Sequence, residues 1–399
     1  MKKDVLLIAH FCSDFDGKGN NRFNYLAELF ANNNFHVELV TSDFSHNEKM
    51  KREKTLSEGL NYKVTLIEEP IYKKNVSLKR FYSHFVMSKN LKKYLIARKK
   101  PSIIYCSVPS LDVAYVAAKY AKENNVKFII DVQDLWPEGF KMVFNTPILS
   151  EILFNPMKRN SNFIYKSADE IVAVSETYLN RVMDVNYKVQ EGKVVFLGTD
   201  LLDFDEAFIN HRYQHKPKNE IWIAYLGTLG HSYDLTSVFD ALEILKFKGY
   251  DNLRFIIMGD GPLKEKFEEY AIAKRINALF TGRLPYDEMV GMLGACDIAV
   301  NPISRGAAQS IINKHADYAA AGLPVVNTQE CLEYRDLVES YNMGLNCNNN
   351  DSSDLADKLL ILLKDNELRE CMGKNSRRLA EEKFDRKRTY PSLIKLLEG

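Results

Sequence analysis

Ser310-Ile-Ile-Asn-Lys-His-Ala-Asp-Tyr-Ala-Ala-Ala-Gly-Leu-Pro-Val-Val326 reads as a helix, a tight stop and the start of a buried strand. Gly322 lies just past the last alanine, where a left-handed C-cap is expected, and Pro324 forbids continuation. With 3.6 residues per turn, Ser310, Lys314, Asp317 and Ala321 fall on one stripe of that helix. The stripe presents a hydroxyl, an ammonium and a carboxylate beside small alanines. An ammonium suits a phosphate as a compact point charge, and a carboxylate suits a pair of sugar hydroxyls. The pattern fits half of a nucleotide-sugar site. It equally fits an amphipathic helix with alanines on a sheet and charges in water.

Outward from this stretch, short β-type runs alternate with helical ones along the whole chain, the sign of parallel sheets with crossover helices. The first half offers strands at Val5–Phe11, His36–Ser42, Ser102–Ser107, Lys127–Val132, Glu170–Ser175 and Lys193–Leu197. The second offers Ile221–Gly227, Arg254–Gly259, Ala278–Thr281, Ile298–Asn301, Val325–Thr328 and Gly344–Cys347. Runs such as Leu6-Leu7-Ile8-Ala9 are continuously apolar, as strands covered on both faces must be. The fold class is α/β: two doubly wound, Rossmann-like parallel-sheet domains facing across a cleft, with the ligand at the carboxyl ends of the strands. The expected domains are 1–199 and 200–385, joined near Gly198-Thr199-Asp200. A final segment, 386–399, carries a helix at Arg388–Leu397 expected to cross back to the first domain.

Length and composition agree. A chain of 399 residues is about two domains' worth, and 46% hydrophobic with 27% charged residues is ordinary globular material. A formal net charge of +1 excludes a globally basic nucleic-acid binder. No apolar run approaches the roughly 20 residues of a membrane span. Met1-Lys-Lys-Asp4 followed by a short apolar run is interrupted by an acid and lacks a cleavage site, so it reads as the first strand of a cytoplasmic protein. The six cysteines show no metal-ligand spacing, and buried thiols in a reducing compartment are expected.

The strand ends carry the remaining candidates. After the first strand, Asp16-Gly17-Lys18-Gly19-Asn20-Asn21-Arg22 leads into a helix, and glycines there let backbone N–H groups approach an anion or a sugar. Gln133-Asp134-Leu135-Trp136-Pro137 closes another strand with polar groups; Asp134 also fits a routine turn cap. Gly227-Thr228, Gly259-Asp260 and Gly282-Arg283 close strands of the second half in the same manner. Several such ends on one rim favour a phosphate or nucleotide site.

These residues carry a resemblance spanning nearly the whole chain. Asp317-Tyr-Ala-Ala-Ala-Gly-Leu-Pro-Val-Val326, Ser175-Glu176 with Gly198-Thr199-Asp200, and Gly282-Arg283 with Cys296-Asp-Ile-Ala-Val-Asn-Pro302 resemble blocks of a retaining glycosyltransferase of the family 4 type, with GT-B architecture. Asp134-Leu-Trp-Pro137 is similar to a branch of bacterial transferases of surface-polysaccharide and O-antigen assembly. The resemblance implies that Asp317 holds the ribose of a nucleoside-diphosphate sugar, a UDP sugar by expectation. Backbone N–H groups at Gly322 and Leu323 would approach its phosphates, and the Gly17–Gly19 loop would close over diphosphate and sugar. Ser310, Gly227, Thr228, Gly259 and Arg283 complete the donor side; Arg22, Gln133 and Trp136 form the acceptor side.

The chain departs from the family pattern. Gln309 stands where a second acid is common, and the family's Gly-Arg…Lys pair falls on Gly227-Thr228…Tyr233, with no cation. Diphosphate charge left unpaired is costly, so Lys314 and Arg305, with Arg283 behind them, are the expected neutralisers. Gln133 replaces the usual first-domain histidine, which leaves Asp134 as the polar group near the acceptor. The resemblance implies front-face transfer with retention, the leaving phosphate taking the acceptor proton. No DxD-type metal motif stands in a suitable loop, which leads us to expect no metal and no cofactor.

Lys73–Lys100 interleaves basic residues with Phe81, Tyr82, Phe85 and Leu91. Such a helix can lie on anionic lipid at roughly 1 kcal/mol per cation, which suits a lipid-linked glycan acceptor and a peripheral site at the cell membrane. It also fits a solvated face on a core-packed helix. Two further readings stay open: a nucleotide-sugar 2-epimerase of the same two-domain shape, and a non-enzymatic nucleotide-sugar binder.

Overall fold

Val5–Ile8, fully buried, becomes the centre of the first sheet. The structure is a computed structural model. It describes the backbone of residues 2–13, 21–52, 59–74, 77–141, 147–307 and 310–399, and the side chains of these outside 140–153. The strands of the first half are β1 (Asp4–Ile8), β2 (His36–Ser42), β3 (Phe44–Ser45), β4 (Met50–Lys51), β5 (Lys63–Ile67), β6 (Ile103–Val108), β7 (Lys127–Val132), β8 (Glu170–Ala173) and β9 (Lys193–Val194). Seven of them form a sheet in the order β5-β2-β1-β6-β7-β8-β9, parallel throughout. The chain winds one way from β1 and the other way from β6, so the switch of direction lies between these two strands.

The second half holds β10 (Ile221–Leu226), β11 (Leu253–Met258), β12 (Ala278–Gly282), β13 (Ile298–Asn301), β14 (Val325–Asn327) and β15 (Gly344–Asn346). They form a six-stranded sheet, β12-β11-β10-β13-β14-β15, also parallel, with its switch between β10 and β13. The expected doubly wound α/β architecture is therefore present twice. One strand escaped the sequence: β5 is a half-exposed edge strand whose Lys-Val-Thr-Leu-Ile lacks the apolar run of a central strand. The small antiparallel pair of β3 and β4 was also unanticipated.

The chain divides at Val195/Phe196, and the first unit regains Tyr390–Gly399. Both points differ by a few residues from the expected 199/200 and 386. The reason is local: Thr199 N–H donates to the Phe384 carbonyl at 2.9 Å, and Arg386 N–H donates to the Thr199 carbonyl at 3.0 Å. Residues 196–200 are thus stitched to 384–386 inside the second unit. Tyr390, Leu393, Leu396 and Leu397 are buried in the core of the first unit with Phe23, Leu26 and Phe30. Five of the six cysteines are buried, and all six are free thiols.

The deciding stretch forms its helix only over Asn313–Ala320. Ile312 is extended, at φ −106° and ψ 164°, so Ser310 precedes the helix and does not share its stripe. The helix ends as its sequence dictates. Gly322 is left-handed at φ +65°, its N–H reaches the Ala319 carbonyl at 3.0 Å, and Leu323 N–H reaches that of Tyr318 at 3.1 Å, a Schellman stop.

Candidate active site

Two strand ends meet at the rim of the second sheet. Gly227 N–H donates to the Met258 carbonyl at 3.0 Å. A side chain at Gly259 (φ +153°) would put its Cβ 1.9 Å from the Gly227 carbonyl oxygen, so glycine is obligatory there. Beside them the sheet is wedged open at its switch. β10 and β13 pair only at Ile223/Ile298 and Ala224/Ala299. Beyond that, the Tyr318 hydroxyl accepts from Leu226 N–H at 2.8 Å and donates to the Val300 carbonyl at 3.2 Å.

Lys314 lies one helical turn before Tyr318 on the same face. Its ammonium sits 4.2 Å from the Tyr225 ring centroid and 3.9 Å from that of Tyr233. A Cβ at Gly227 would come within 3.0 Å of it. The residue is 5% exposed, and the ammonium has no hydrogen-bond partner among the described residues. Burial pushes its pKa well below the ordinary lysine value. Two aromatic quadrupoles are a partial substitute for a counter-ion, so this site is electrostatically incomplete until an anion arrives.

A polar scaffold holds that helix from the other side. Asn301, Asn327 and Asn346 stand in register at the ends of β13, β14 and β15. Asn301 Nδ2 donates to Asn327 Oδ1 at 2.8 Å, and Asn327 Nδ2 to Asn346 Oδ1 at 2.8 Å. His315 stacks on Tyr334 at 3.6 Å between centroids and accepts from Ile312 N–H through Nδ1 at 3.2 Å. These contacts fix the start of the helix that presents Lys314.

Asp317 has different surroundings. It is 4% exposed, and its Oδ1 has no partner among the described residues. Burial raises its pKa to about 7, partly offset by the positive charge of Arg386. Burial, and after it the Asp317 charge, raise the Tyr286 hydroxyl, which is bonded to Thr199 at 3.0 Å.

Gly322 and Leu323, expected to offer N–H groups to phosphates, do not: both N–H groups are consumed by the Schellman stop. They also lie at the negative end of the helix dipole, which repels anions. The anion-favouring end is the opposite one, at Ile312–Lys314. Ser310 is buried off the helix, its carbonyl taken by Gln329 Nε2 at 2.8 Å. Arg305 is no part of the cluster either. Its side chain is 80% exposed, 3.9 Å from Glu330, on a loop whose Ser304 N–H binds the Ser232 carbonyl at 3.0 Å. Arg283 and Thr228 are exposed at strand ends, and the Thr228 carbonyl accepts from the Tyr225 hydroxyl at 2.8 Å. Gly17 and Gly19 lie outside the described residues.

In the first unit Arg22, expected at the acceptor, is instead a buried clasp. Its Nε donates to Asp131 at 2.8 Å, and one terminal nitrogen donates to the Val195 carbonyl at 3.1 Å and the Tyr390 hydroxyl at 2.9 Å. The guanidinium thereby ties the returning segment to β7. Asp134 spends its carboxylate locally, on Leu135 N–H at 2.9 Å and Trp136 Nε1 at 3.0 Å, and burial raises its pKa. Trp136 is buried with its ring under Arg80 at 5.0 Å and stacked on His84, so it is no open platform. Gln133 is half-buried, and its Nε2 lacks a partner among the described residues.

The sequence reading missed a polar cluster at the switch of the first sheet. His10, just after β1, bonds Ser110 through Nδ1 and Glu69 through Nε2 at 2.8 Å, and Glu69 accepts from Ser83 at 2.6 Å. His10, Glu69 and His84 bring ligand-type atoms within 4.8 Å of one another. Their lone pairs are already committed: both His10 nitrogens are bonded, and His84 Nε2 accepts from Arg80 Nε at 3.4 Å. A cation there would also face the Arg80 guanidinium. Only spatial proximity assembles these residues, and no local spacing announced them.

With that geometry in place, the comparisons with known proteins say what this chain is similar to. Residues 207–379, within the second unit, match the family described as glycosyl transferases group 1. Among curated relatives, an uncharacterized glycosyltransferase of Methanocaldococcus jannaschii is 21% identical over 242 residues, 60% of this chain and 61% of that protein. The capsular polysaccharide biosynthesis glycosyltransferase CapM of Staphylococcus aureus is 21% identical over 325 residues, 77% of this chain and 80% of that protein. The chain spans only about 60% of the length of the first curated relatives it matches. Among solved structures, HepE of Anabaena, in complex with UDP and glucose, aligns with TM-score 0.72 at 14% identity, covering 100% of each chain. That likeness establishes the fold: GT-B, two parallel-sheet α/β domains.

Proposed function

We propose that the protein is a retaining glycosyltransferase of the family 4 type. It moves a sugar from a nucleoside-diphosphate donor, uridine-linked, to a lipid-linked glycan acceptor in cell-surface polysaccharide synthesis. The observation that carries this reading is the unpartnered Lys314 ammonium, caged by Tyr225 and Tyr233 at the switch of the second sheet. That is where α/β sheets bind ligands, and a diphosphate supplies the charge the site lacks. The group 1 match and the UDP complex of a protein with the same fold support it.

Lys314 acts where negative charge develops on the leaving diphosphate, in a site that is nearly dry. A pre-placed cation there stabilises the transition state more than the ground state. The N-terminal end of its helix adds a favourable dipole. In this reading the departing phosphate takes the acceptor proton, and neither a metal nor a dedicated base is required. Asp317 receives the ribose hydroxyls; burial holds its proton up to near neutrality, so it can donate or accept.

A peripheral membrane site extends the proposal. On the helix Leu78–Ala97, the side chains of Leu78, Phe81, Tyr82 and Phe85 are all exposed. Their spacing puts them on one stripe, with Lys79, Lys89, Lys92 and Lys93 around it. Apolar rings for the interface and lysines for anionic headgroups suit a protein working on lipid-linked acceptors. Among the described residues no helix is long and apolar enough to cross a membrane.

Calorimetric titration with UDP and UDP sugars, followed by transfer assays on lipid-linked acceptors, tests the reading. Binding weakened in Lys314→Met supports it. Equal UDP affinity in wild type and variant refutes it, and epimer formation without acceptor replaces it with the isomerase.

A further inference from the structure

The helix Asn313–Ala320 carries both Lys314 and Asp317, and its two ends are held by different means. Its start is fixed through His315, and the Tyr318 hydroxyl pins its middle to Leu226 and Val300. Its last turn is held from a distant helix, Asn366–Leu379. Arg377 of that helix donates through one terminal nitrogen to the Ala320 carbonyl at 2.9 Å. The two terminal nitrogens together grip the Asp205 carboxylate as a fork, each bond 2.7 Å long. Its Nε donates to Glu381 at 3.0 Å.

The two helices also meet backbone to backbone. A Cβ at Gly373 would lie 2.5 Å from the Gly322 carbonyl oxygen, and a Cβ at Gly322 would lie 3.4 Å from that of Gly373. The helix Asn366–Leu379 is therefore pressed against the end of the shorter one and cannot slide along it. With two carboxylates already on the Arg377 guanidinium, what it gives the Ala320 turn is place more than charge. Asp317 depends on that turn. Its carbonyl accepts from Ala321 N–H at 3.0 Å, while its Oδ1 has no partner among the described residues. The backbone, rather than a bond to that oxygen, sets where the carboxylate stands.

We infer that Arg377, locked by Asp205, is a positioning residue that sets the place of Asp317 and thereby the recognition of the donor's ribose. This rests on the proposed donor site and names the remote contact that governs one half of it. Lys314 lies toward the opposite end of the helix, beside the His315 anchor. Loosening the last turn displaces the carboxylate and spares the ammonium. A bond between a carboxylate and a hydroxyl weakens steeply as its angle closes, so a small tilt is enough. Ribose and diphosphate are then under separate control on one helix.

The test is a calorimetric titration of the full chain with UDP and with its 2′,3′-dideoxy analogue, which keeps the diphosphate and lacks both ribose hydroxyls. Wild type should prefer UDP by about tenfold or more, the worth of one charge-assisted hydrogen bond. Arg377→Gln should weaken UDP to the level of the analogue and leave the analogue unchanged. Lys314→Met should weaken both. A general loss of folded protein would lower both probes in proportion, so the preference reports position and not stability. The Arg377 and Asp205 side chains are 28% and 44% exposed, so breaking the pair costs little stability. Asp205→Asn keeps the arginine and should shift the preference the same way by less. An unchanged preference in both variants, or equal loss of both probes, overturns the inference. Failure of UDP to bind the wild type, or equal binding of the two probes, strikes the donor reading instead. Amide hydrogen exchange of the ligand-free chain then judges Arg377 by itself. Faster exchange at Ala321–Leu323 in Arg377→Gln supports its hold on the last turn, and unchanged exchange overturns it.

Discussion

The Lys314 ammonium lies 3.9 Å from the centroid of the Tyr233 ring. By the resemblance to family 4 transferases, Tyr233 would stand where that family carries a lysine of its own. Here the cation comes from another element, the helix Asn313–Ala320, and the tyrosine has become part of its cage. Removing that ammonium should separate function from stability. Lys314→Met should lower transfer on the order of 10²–10³-fold, as for loss of one charged donor. It should also leave the ligand-free protein as stable or more so, because an unpartnered buried cation is a cost. Transfer kinetics and thermal unfolding of the same preparation check both; a clear drop in melting temperature contradicts the second.

Nucleotide affinity should fall as pH rises. Free Lys314 has its pKa depressed by burial, and a bound diphosphate favours the ammonium, so binding takes up a proton once the pH exceeds the free-state value. Titrations in buffers of different ionisation enthalpy should reveal that uptake in wild type and none in Lys314→Met. Without ligand the same depression has the opposite sign. The unfolded chain binds the extra proton, so this group's contribution to stability rises with pH up to the ordinary lysine value.

Asp317 titrates near 7 in the fold against 3.8 in the unfolded chain. Between these values the folded state binds more protons, so its contribution to stability falls as pH rises through that window and is constant above it. Asp317→Asn should therefore stabilise the protein at pH 8, by up to roughly 4 kcal/mol at about 1.4 kcal/mol per unit, and change little at pH 4. Denaturant unfolding at the two pH values checks this. Equal effects at both would show that the carboxylate is not held near neutrality.

Arg22→Leu should destabilise the first unit by about 3–5 kcal/mol, since it strands Asp131 as a buried, unpaired charge. It should also loosen Tyr390–Gly399, exposing that segment to proteolysis, while UDP affinity is retained. Susceptibility at the C-terminus equal to wild type would assign Arg22 some role other than the clasp.

Replacing Phe81, Tyr82 and Phe85 by serine should abolish flotation with anionic vesicles at low salt without changing thermal stability, because all three side chains are exposed. Vesicle binding that survives the triple change would place the membrane contact elsewhere.

Much of the fold was legible because it rests on local chemistry. Continuous apolar runs gave the central strands, and β5 was missed because an edge strand needs no such run. The Gly322-Leu323-Pro324 stop was readable to the residue, since a left-handed C-cap is a property of the backbone. Its functional meaning was misread. The helix between two parallel strands runs back down the sheet, so its glycine end lies away from the carboxyl rim and its N–H groups are spent. Ser310 was placed on the helix because the stripe pattern continued through it, while the β-branched Ile312 took the extended conformation it favours.

The sequence by itself determined the two βα series, the rim on which glycine-ended strands gather and the presence of Lys314 and Asp317 near it, because periodicity and turn chemistry act over a few residues. Only the tertiary structure decided what each charge faces. Arg22 meets Asp131 across 109 positions, Lys314 meets Tyr225 and Tyr233 from another element, and Arg377 meets Asp205 across 172 positions. Electrostatic partners are chosen by distance in space, and a low-dielectric interior makes that choice count.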